Sequence, residues 1–180
     1  FLNNLNKDGV ALDGHDPVAF FTQNKPVKGT PQVQSIYRGA RYYFSTVDNK
    51  KLFDAEPAKY EPPYGGWCAW AVIDGDKVEI DPMNYEVIDG KVYLFYKGWL
   101  GNAKKKWDDK LKAEGANKTV TAADSGWSKL AKTDAAAFEA ERKKQVTIIA
   151  ADAAATEKLV AQIKGAEASE MASEHKARER

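Results

Sequence analysis

The chain has 180 residues, of which 43% are hydrophobic and 11% aromatic, enough for one domain with a hydrophobic core and an appended segment. Lys and Arg number 27 and Asp and Glu 26, so the formal net charge is only +1, which excludes the strong basic surplus of a typical nucleic-acid binder. No apolar run approaches the roughly 18 residues of a membrane span, so no such span is expected.

The first predicted elements are a strand and a short helix. Residues 39–45, GARYYFS, are a strand candidate. In the following stretch, STVDNKKLFDAEPAKY, Ser45 stands three residues before Asp48, which predicts the start of a helix. This helix should end near Ala55, because the residue before Pro57 is pushed away from helical geometry.

Two hairpins and a second helix are predicted next. WCAWAVIDGDKVEI, residues 67–80, predicts strands on either side of the turn Asp74-Gly75-Asp76. YEVIDGKVYLFY, residues 85–96, predicts strands around Asp89-Gly90, the strongest short hairpin signal. NAKKKWDDKLKAEG, residues 102–115, predicts a helix that ends at its glycine. The expected fold class is α+β, a small antiparallel sheet with two or three helices, followed by a long C-terminal helical tail.

A change in composition divides the chain. Every tyrosine and every proline lies before residue 100, whereas the chain from Asp134 onward is rich in Ala, Glu and Lys and has Phe138 as its one aromatic residue. We therefore predict an aromatic-rich domain over residues 1–130 and a helical tail over residues 131–180.

The tail carries an amphipathic pattern. Small or apolar residues recur at alternating steps of three and four, which predicts a helix over residues 134–164 with a broad apolar face. These positions are Val146, Ile149, Ala153, Thr156, Val160 and Ile163. The face either packs back onto the domain or serves a protein partner or self-association, and the pattern leaves both open.

The one cysteine, Cys68, lies in EPPYGGWCAWAV, residues 61–72. A lone thiol is a metal ligand, a reactive group or a small buried apolar side chain. Free cysteine is among the most buried residue types, and Cys68 stands between Trp67 and Trp70 on a predicted strand, which favours the buried reading.

His15 is the other candidate for site chemistry. It follows Asp13-Gly14 and precedes Asp16-Pro17, so a turn with a partly exposed imidazole is expected. The alternative is a ligand or hydrogen-bonding group at the edge of a pocket, with Asp16 orienting the ring.

Three stretches resemble the YHS domain family, most of all its stand-alone, exported bacterial members. They are GVALDGHDPVAFFTQNKPVKG (9–29), YRGARYYFSTVDNKKLFDAEPAKYEPPYGGWCAWAV (37–72) and VIDGKVYLFYKGWLGNAKKKW (87–107). The resemblance runs from about Gly9 to Leu130 and makes the domain over residues 1–130 YHS-like. It implies a small α+β module linked to heavy-metal handling, and a periplasmic or otherwise exported protein whose signal peptide has been removed.

The two cysteine ligands implied by the resemblance are both absent. Members tied to metal transport resemble DPVC and YxFCS, where this chain has DPVA with Ala19 and YYFS with Ser45. The remaining candidate ligands are His15, Asp16 and Cys68, and the expected metals are copper or zinc, bound weakly because the soft thiolate pair is missing.

No catalytic motif stands out in the sequence. The nucleophile elbow, the phosphate loop and the H-E-x-x-H zinc motif are all absent. The expected function is therefore a non-catalytic exported YHS-type binding module, with a transition metal as a weakly held ligand. The alternative is a structural or accessory subunit of a larger assembly, attached through the C-terminal amphipathic helix.

Overall fold

The computed structural model describes residues 3–133, together with residues 139, 140 and 143. The strands in this part of the chain are β1 (Thr30–Tyr37), β2 (Ala40–Phe44), β3 (Asp81–Ile88), β4 (Lys91–Phe95), β5 (Lys97–Gly98) and β6 (Gly101–Asn102). The helices are α1 (Ala19–Thr22), α2 (Val47–Ala55), α3 (Pro57–Tyr60), α4 (Ala69–Ile73), α5 (Ala103–Glu114) and α6 (Ala116–Thr133). Helices and antiparallel strands coexist, so the α+β class is confirmed for the described residues.

The strands pair as hairpins. β1 pairs with β2, β3 with β4 and β5 with β6, each pair antiparallel and each forming its own two-stranded sheet. The antiparallel pairing expected from the sequence is thus confirmed, but the described residues form three small sheets and six α-helices, where one sheet with two or three helices was expected. The predicted hairpin around Asp89-Gly90 is confirmed, with φ of 48° and 75° at these two residues. Positive φ at both central residues is the type I′ geometry whose twist matches that of paired strands.

Helix α2 begins one residue later than the sequence pattern suggested. The Thr46 side chain accepts a hydrogen bond from the Asn49 N–H at 3.0 Å and caps the helix. The predicted start at Ser45 is therefore wrong, because the Ser45 hydroxyl is engaged elsewhere. The predicted end at Ala55 is confirmed.

Helix α5 follows its prediction closely. The Asn102 side chain accepts the Lys104 N–H at 3.1 Å at the start of the helix, and Gly115 ends it with φ of 87°. Its ψ of 162° lies outside the left-handed helical region, in a positive-φ conformation that glycine adopts at little cost.

The segment of residues 67–80 is not a hairpin. Ala69–Ile73 forms helix α4, and Cys68 stands at the position before its first turn. The turn predicted at Asp74-Gly75-Asp76 follows α4, where the Gly75 N–H donates to Val72 O at 2.9 Å. A short apolar run does not distinguish a buried helix from a buried strand by its period, and here packing against α6 decides.

Two hydrophobic cores share strand β4. Val92 and Leu94 belong to the first core with Tyr42, Phe44 and Phe53. On the opposite face of the strand, Tyr93 and Phe95 belong to the second core, which also contains Cys68, Val72 and the fully buried Trp107. Successive side chains of a strand point to opposite faces, so this one strand covers both cores.

Helix α6 crosses α4 at very short range. Thr119 and Ala123 are fully buried on α6, and Gly126 follows on the same helix. A Cβ on Gly126 would lie 1.9 Å from the Val72 carbonyl oxygen, so the missing side chain is what allows the two backbones to approach.

The predicted tail extends beyond the described chain. Helix α6 runs to Thr133, past the proposed division at residue 130, and the division itself stays a prediction. The helix predicted over residues 134–164, with its attachment role, lies outside the described residues apart from 139, 140 and 143. Among the described residues, no helix combines the length and apolar character needed to cross a membrane.

Candidate functional site

Asp16 is a buried junction of hydrogen bonds. It is fully buried, and its Oδ1 accepts the N–H groups of Val18 at 2.8 Å and Ala19 at 3.2 Å, at the start of α1. Its Oδ2 accepts the Ser45 N–H and the Ser45 hydroxyl, both at 2.7 Å, and the Asn49 amide at 2.9 Å. The carboxylate thus joins α1 to the end of β2 and to α2, and its oxygens are occupied by protein donors.

His15 lies beside this junction without taking part in it. The half-buried imidazole places Nδ1 3.1 Å from Leu12 O, and the His15 backbone pairs with Lys28 in an isolated bridge. The alternative in which Asp16 orients the ring is therefore wrong, because both oxygens of Asp16 accept from Val18, Ala19, Ser45 and Asn49 instead.

Cys68 is buried in the second core. Its side chain is 1% exposed, and the Tyr96 N–H donates to Sγ at 3.4 Å. The Cys68 N–H donates to Val78 O at 3.0 Å, which fixes the chain before α4. The expected burial is confirmed, although on the approach to a helix rather than within a strand.

Within residues 3–133, no hydrogen bond connects His15 to Cys68, and no group of three or more His, Cys, Asp or Glu side chains is arranged to hold a metal ion. The ligand set His15, Asp16 and Cys68 is therefore not assembled as a site in the described chain. Its assignment to copper or zinc stays a prediction.

A cleft at the junction of the two cores is lined by a separate set of charged, polar and aromatic side chains. It has a volume of about 620 Å³, within the range of small-molecule sites. Its walls come from the turn between β1 and β2, the segment from α3 to Gly65, strand β4 and helix α6. The lining side chains that matter below are Arg38, Tyr42, Glu61, Tyr64, Tyr93 and Trp127.

Two of these residues have a left-handed backbone. Arg38 has φ of 48°, and Tyr64 has φ of 60° and ψ of 34°. Bulky side chains rarely adopt this conformation, which costs of the order of 1–3 kcal/mol, and such strain clusters at functional sites. Both strained residues line the same cleft.

Charged side chains form part of the cleft lining. Arg38 Nη1 donates to Glu61 Oε1 at 3.2 Å, and Lys91 Nζ donates to Ala58 O at 2.6 Å. Burial raises the pKa of the Glu61 carboxyl, while the charges of Arg38 and Lys91 act in the opposite direction. A guanidinium has five N–H donors, and Arg38 directs only one of its side-chain bonds to Glu61, so donors are left for an incoming anion.

Aromatic rings also line the cleft, together with the Asp124 carboxylate. The Tyr64 hydroxyl donates to Asp124 Oδ1 at 2.7 Å, and its ring centroid lies 6.1 Å from that of Tyr93 and 6.4 Å from that of Trp127. Burial, followed by the hydrogen bond to Asp124, raises the pKa of Tyr64. The phenol therefore stays protonated and acts as a fixed donor.

Sequence reasoning missed this cleft. Its residues come from distant parts of the chain, and the left-handed conformation of Tyr64 leaves no local mark except the following Gly65-Gly66. The pair Arg38-Gly39 between two strand-forming runs is the one signal that was available, since glycine second in a two-residue loop is typical of a hairpin turn.

A comparison with protein families finds a YHS domain at residues 18–64. The YHS domain is associated with possible metal binding. No curated protein and no solved structure matches the chain. The matched segment contains the Asp16-bonded residues of α1 and α2, and it ends at Tyr64 on the wall of the cleft.

Proposed function

We propose that the chain is a non-catalytic, exported YHS-type binding module whose ligand occupies the cleft between the two cores. The observation that carries the proposal is the position of Arg38 and Tyr64, two strained residues on the wall of one cleft. The absence of catalytic motifs from the sequence supports a binding role, and the resemblance to exported YHS proteins supports the location.

The ligand that fits this cleft is a small organic acid with an aromatic or apolar body. Arg38 has N–H donors that Glu61 does not use, and carboxylates are bound well by guanidinium groups. Tyr64, Tyr93 and Trp127 offer rings against which an apolar body packs. A pocket with an apolar wall and a few convergent polar groups is the usual form of a small-molecule site.

Replacing Arg38 by asparagine should separate binding from stability. Asn-Gly is the preferred pair for a type I′ turn, so Arg38→Asn should raise the free energy of unfolding by about 1 kcal/mol through relief of strain. The same change removes the guanidinium that would donate a charge-assisted hydrogen bond to the ligand. It should therefore weaken the binding of an aromatic carboxylate by roughly 10-fold to 100-fold. Calorimetry and thermal unfolding with benzoate and indole-3-acetate measure both effects, with the neutral amides of these acids as comparison.

The turn between β3 and β4 supplies a matched control. Asp89→Asn changes a turn with the same sign of φ and should leave carboxylate binding unaltered. A ligand at 100 times its Kd should stabilise the native chain by about 2.7 kcal/mol, which is visible in Tm. If no acid raises Tm at millimolar concentration, or if Arg38→Asn binds as tightly as the native chain, the cleft is not the ligand site.

A weakly held transition metal, copper or zinc, remains part of the same proposal because of the association of YHS domains with possible metal binding. Imidazole suits both metals, and the oxygens of Asp16 are already engaged, so His15 with another oxygen or sulfur donor is the expected ligand set. Calorimetric titration with each metal should show weaker binding to His15→Ala than to the native chain. Identical titration curves for the native chain and His15→Ala would show that His15 is not a metal ligand.

A further inference from the structure

The β5–β6 hairpin presents two large apolar side chains to solvent. Its strands pair Lys97 with Asn102 and Gly98 with Gly101, which leaves Trp99 and Leu100 as the tip. Trp99 is 92% exposed and Leu100 is 71% exposed. Burying such side chains is favourable, so a soluble domain gains nothing by holding both in water.

Contacts with Tyr96 support the hairpin tip. The Leu100 N–H donates to the Tyr96 hydroxyl at 3.4 Å, and a Cβ on Gly98 would lie 2.3 Å from that same oxygen, so the Tyr96 ring lies directly against the hairpin. The Ala103 N–H donates to Tyr96 O at 3.0 Å at the base of the turn. The exposed pair therefore stands on a supported turn.

Exposed lysines flank the tip in the sequence, on the strand before it and on the helix after it. Lys97 precedes it, and Lys105 and Lys106 lie in the first turn of α5, which begins directly after β6. All three are exposed, and within residues 3–133 none of them forms an ion pair, in contrast to Lys104, which contacts Asp108 at 2.8 Å. The first turn of α5 contains no acidic residue, although a helix N-terminus favours negative charge. The position of Lys105 and Lys106 is thus unfavourable for the helix.

We propose that this hairpin is a docking element for an anionic lipid bilayer. Trp99 and Leu100 would enter the boundary between headgroups and acyl chains, the level at which tryptophan is enriched in membrane proteins. Lys97, Lys105 and Lys106 would contact the anionic headgroups, to which basic residues near a membrane are attracted. Two exposed apolar side chains at a hairpin tip, with exposed lysines on the adjoining strand and helix, suit a flat, soft, negative surface better than a protein pocket.

Vesicle co-sedimentation of the full chain tests the proposal. The native chain should bind vesicles of phosphatidylcholine mixed with phosphatidylglycerol and should bind pure phosphatidylcholine far less. High salt should release it, since screening shortens the reach of surface charge to a few ångströms.

Two variants separate the contribution of the apolar tip to vesicle binding from that of the lysines. Trp99→Ser with Leu100→Ser should lower the partition coefficient at least about 10-fold, with Tm unchanged because both side chains are exposed. Lys97→Gln, Lys105→Gln and Lys106→Gln together should lower it about 100-fold on anionic vesicles.

Matched controls use other exposed residues. Met83→Ser removes an apolar side chain that is 66% exposed on β3, and Lys25→Gln, Lys28→Gln and Lys51→Gln together remove the same charge elsewhere. Both should bind as the native chain does, apart from a small loss from the change in net charge. Binding that survives loss of the tip overturns the proposal. If the native chain binds neither kind of vesicle, the proposal is also wrong, and the tip would then be a contact site for a protein partner.

Discussion

Replacing Asp16 by alanine is expected to lower the free energy of unfolding by at least about 4 kcal/mol. The change removes the acceptor of buried donors on Val18, Ala19 and Asn49 and of a partly buried donor on Ser45, and each unsatisfied buried donor costs about 1–3 kcal/mol. Small domains are stable by only about 5–15 kcal/mol, so a large share of stability is lost. The midpoint of urea unfolding measures the effect.

A graded series sharpens this prediction. Asp16→Asn keeps one acceptor oxygen and should cost less than Asp16→Ala, while Asp8→Asn, an exposed control near the N-terminus, should stay within about 0.5 kcal/mol of the native chain. If Asp16→Asn is as stable as the native chain, the carboxylate is not a structural junction, and its oxygens become candidates for a ligand.

Adding a single methyl group at Gly126 is expected to destabilise the protein by about 3 kcal/mol. Alanine is normally about 1 kcal/mol better than glycine in a helix interior, so the expected sign is the reverse of the propensity effect. The added Cβ would meet the Val72 carbonyl oxygen at 1.9 Å, and this oxygen belongs to the backbone and does not rotate away. Helices α4 and α6 must separate, which uncovers packed surface and costs about 1–3 kcal/mol or more. Thermal unfolding monitored by circular dichroism reports the loss.

The neighbouring residue Ser125 provides the control for helix propensity. It is exposed on the same helix, so Ser125→Ala should raise Tm slightly. A Gly126→Ala protein with a raised Tm would show that the crossing of α4 and α6 tolerates a wider spacing.

The elements predicted best are those fixed by chemistry within a few residues. Asp89-Gly90 sets a turn through its own backbone preferences, Pro57 limits the helix before it, and Gly115 ends the helix it follows. None of these needs information from elsewhere in the chain, which is why composition and spacing predict them.

Helix α4 shows where local information ends. The run from Trp67 to Ile73 is apolar throughout, and its strand-forming residues favoured a hairpin. The helix is selected by contact with α6, through a glycine more than fifty positions away, at Gly126. Tertiary packing of this kind overrides local propensity, and no pattern within residues 67–80 reveals it.

The candidate site was predicted less well than the fold. Cys68 was correctly expected to be buried, and His15 to be partly exposed. Asp16, by contrast, turned out to bond Ser45 and Asn49 rather than His15, and the identity of these partners depends on how α1, β2 and α2 meet. The cleft depends on the same long-range placement, since Arg38, Tyr64 and Trp127 are remote in sequence.

The sharing of strand β4 bears on whether the matched segment can fold by itself. The segment of residues 18–64 supplies Tyr42, Phe44 and Phe53 to the first core, but Val92 and Leu94 from β4 and Leu12 from the N-terminal side complete that core. On its own the segment would leave these aromatic rings uncovered, so it is not an autonomous folding unit here. A chain that contained residues 18–64 without the β3–β4 hairpin would need another strand, from the same or a second chain, to close this core.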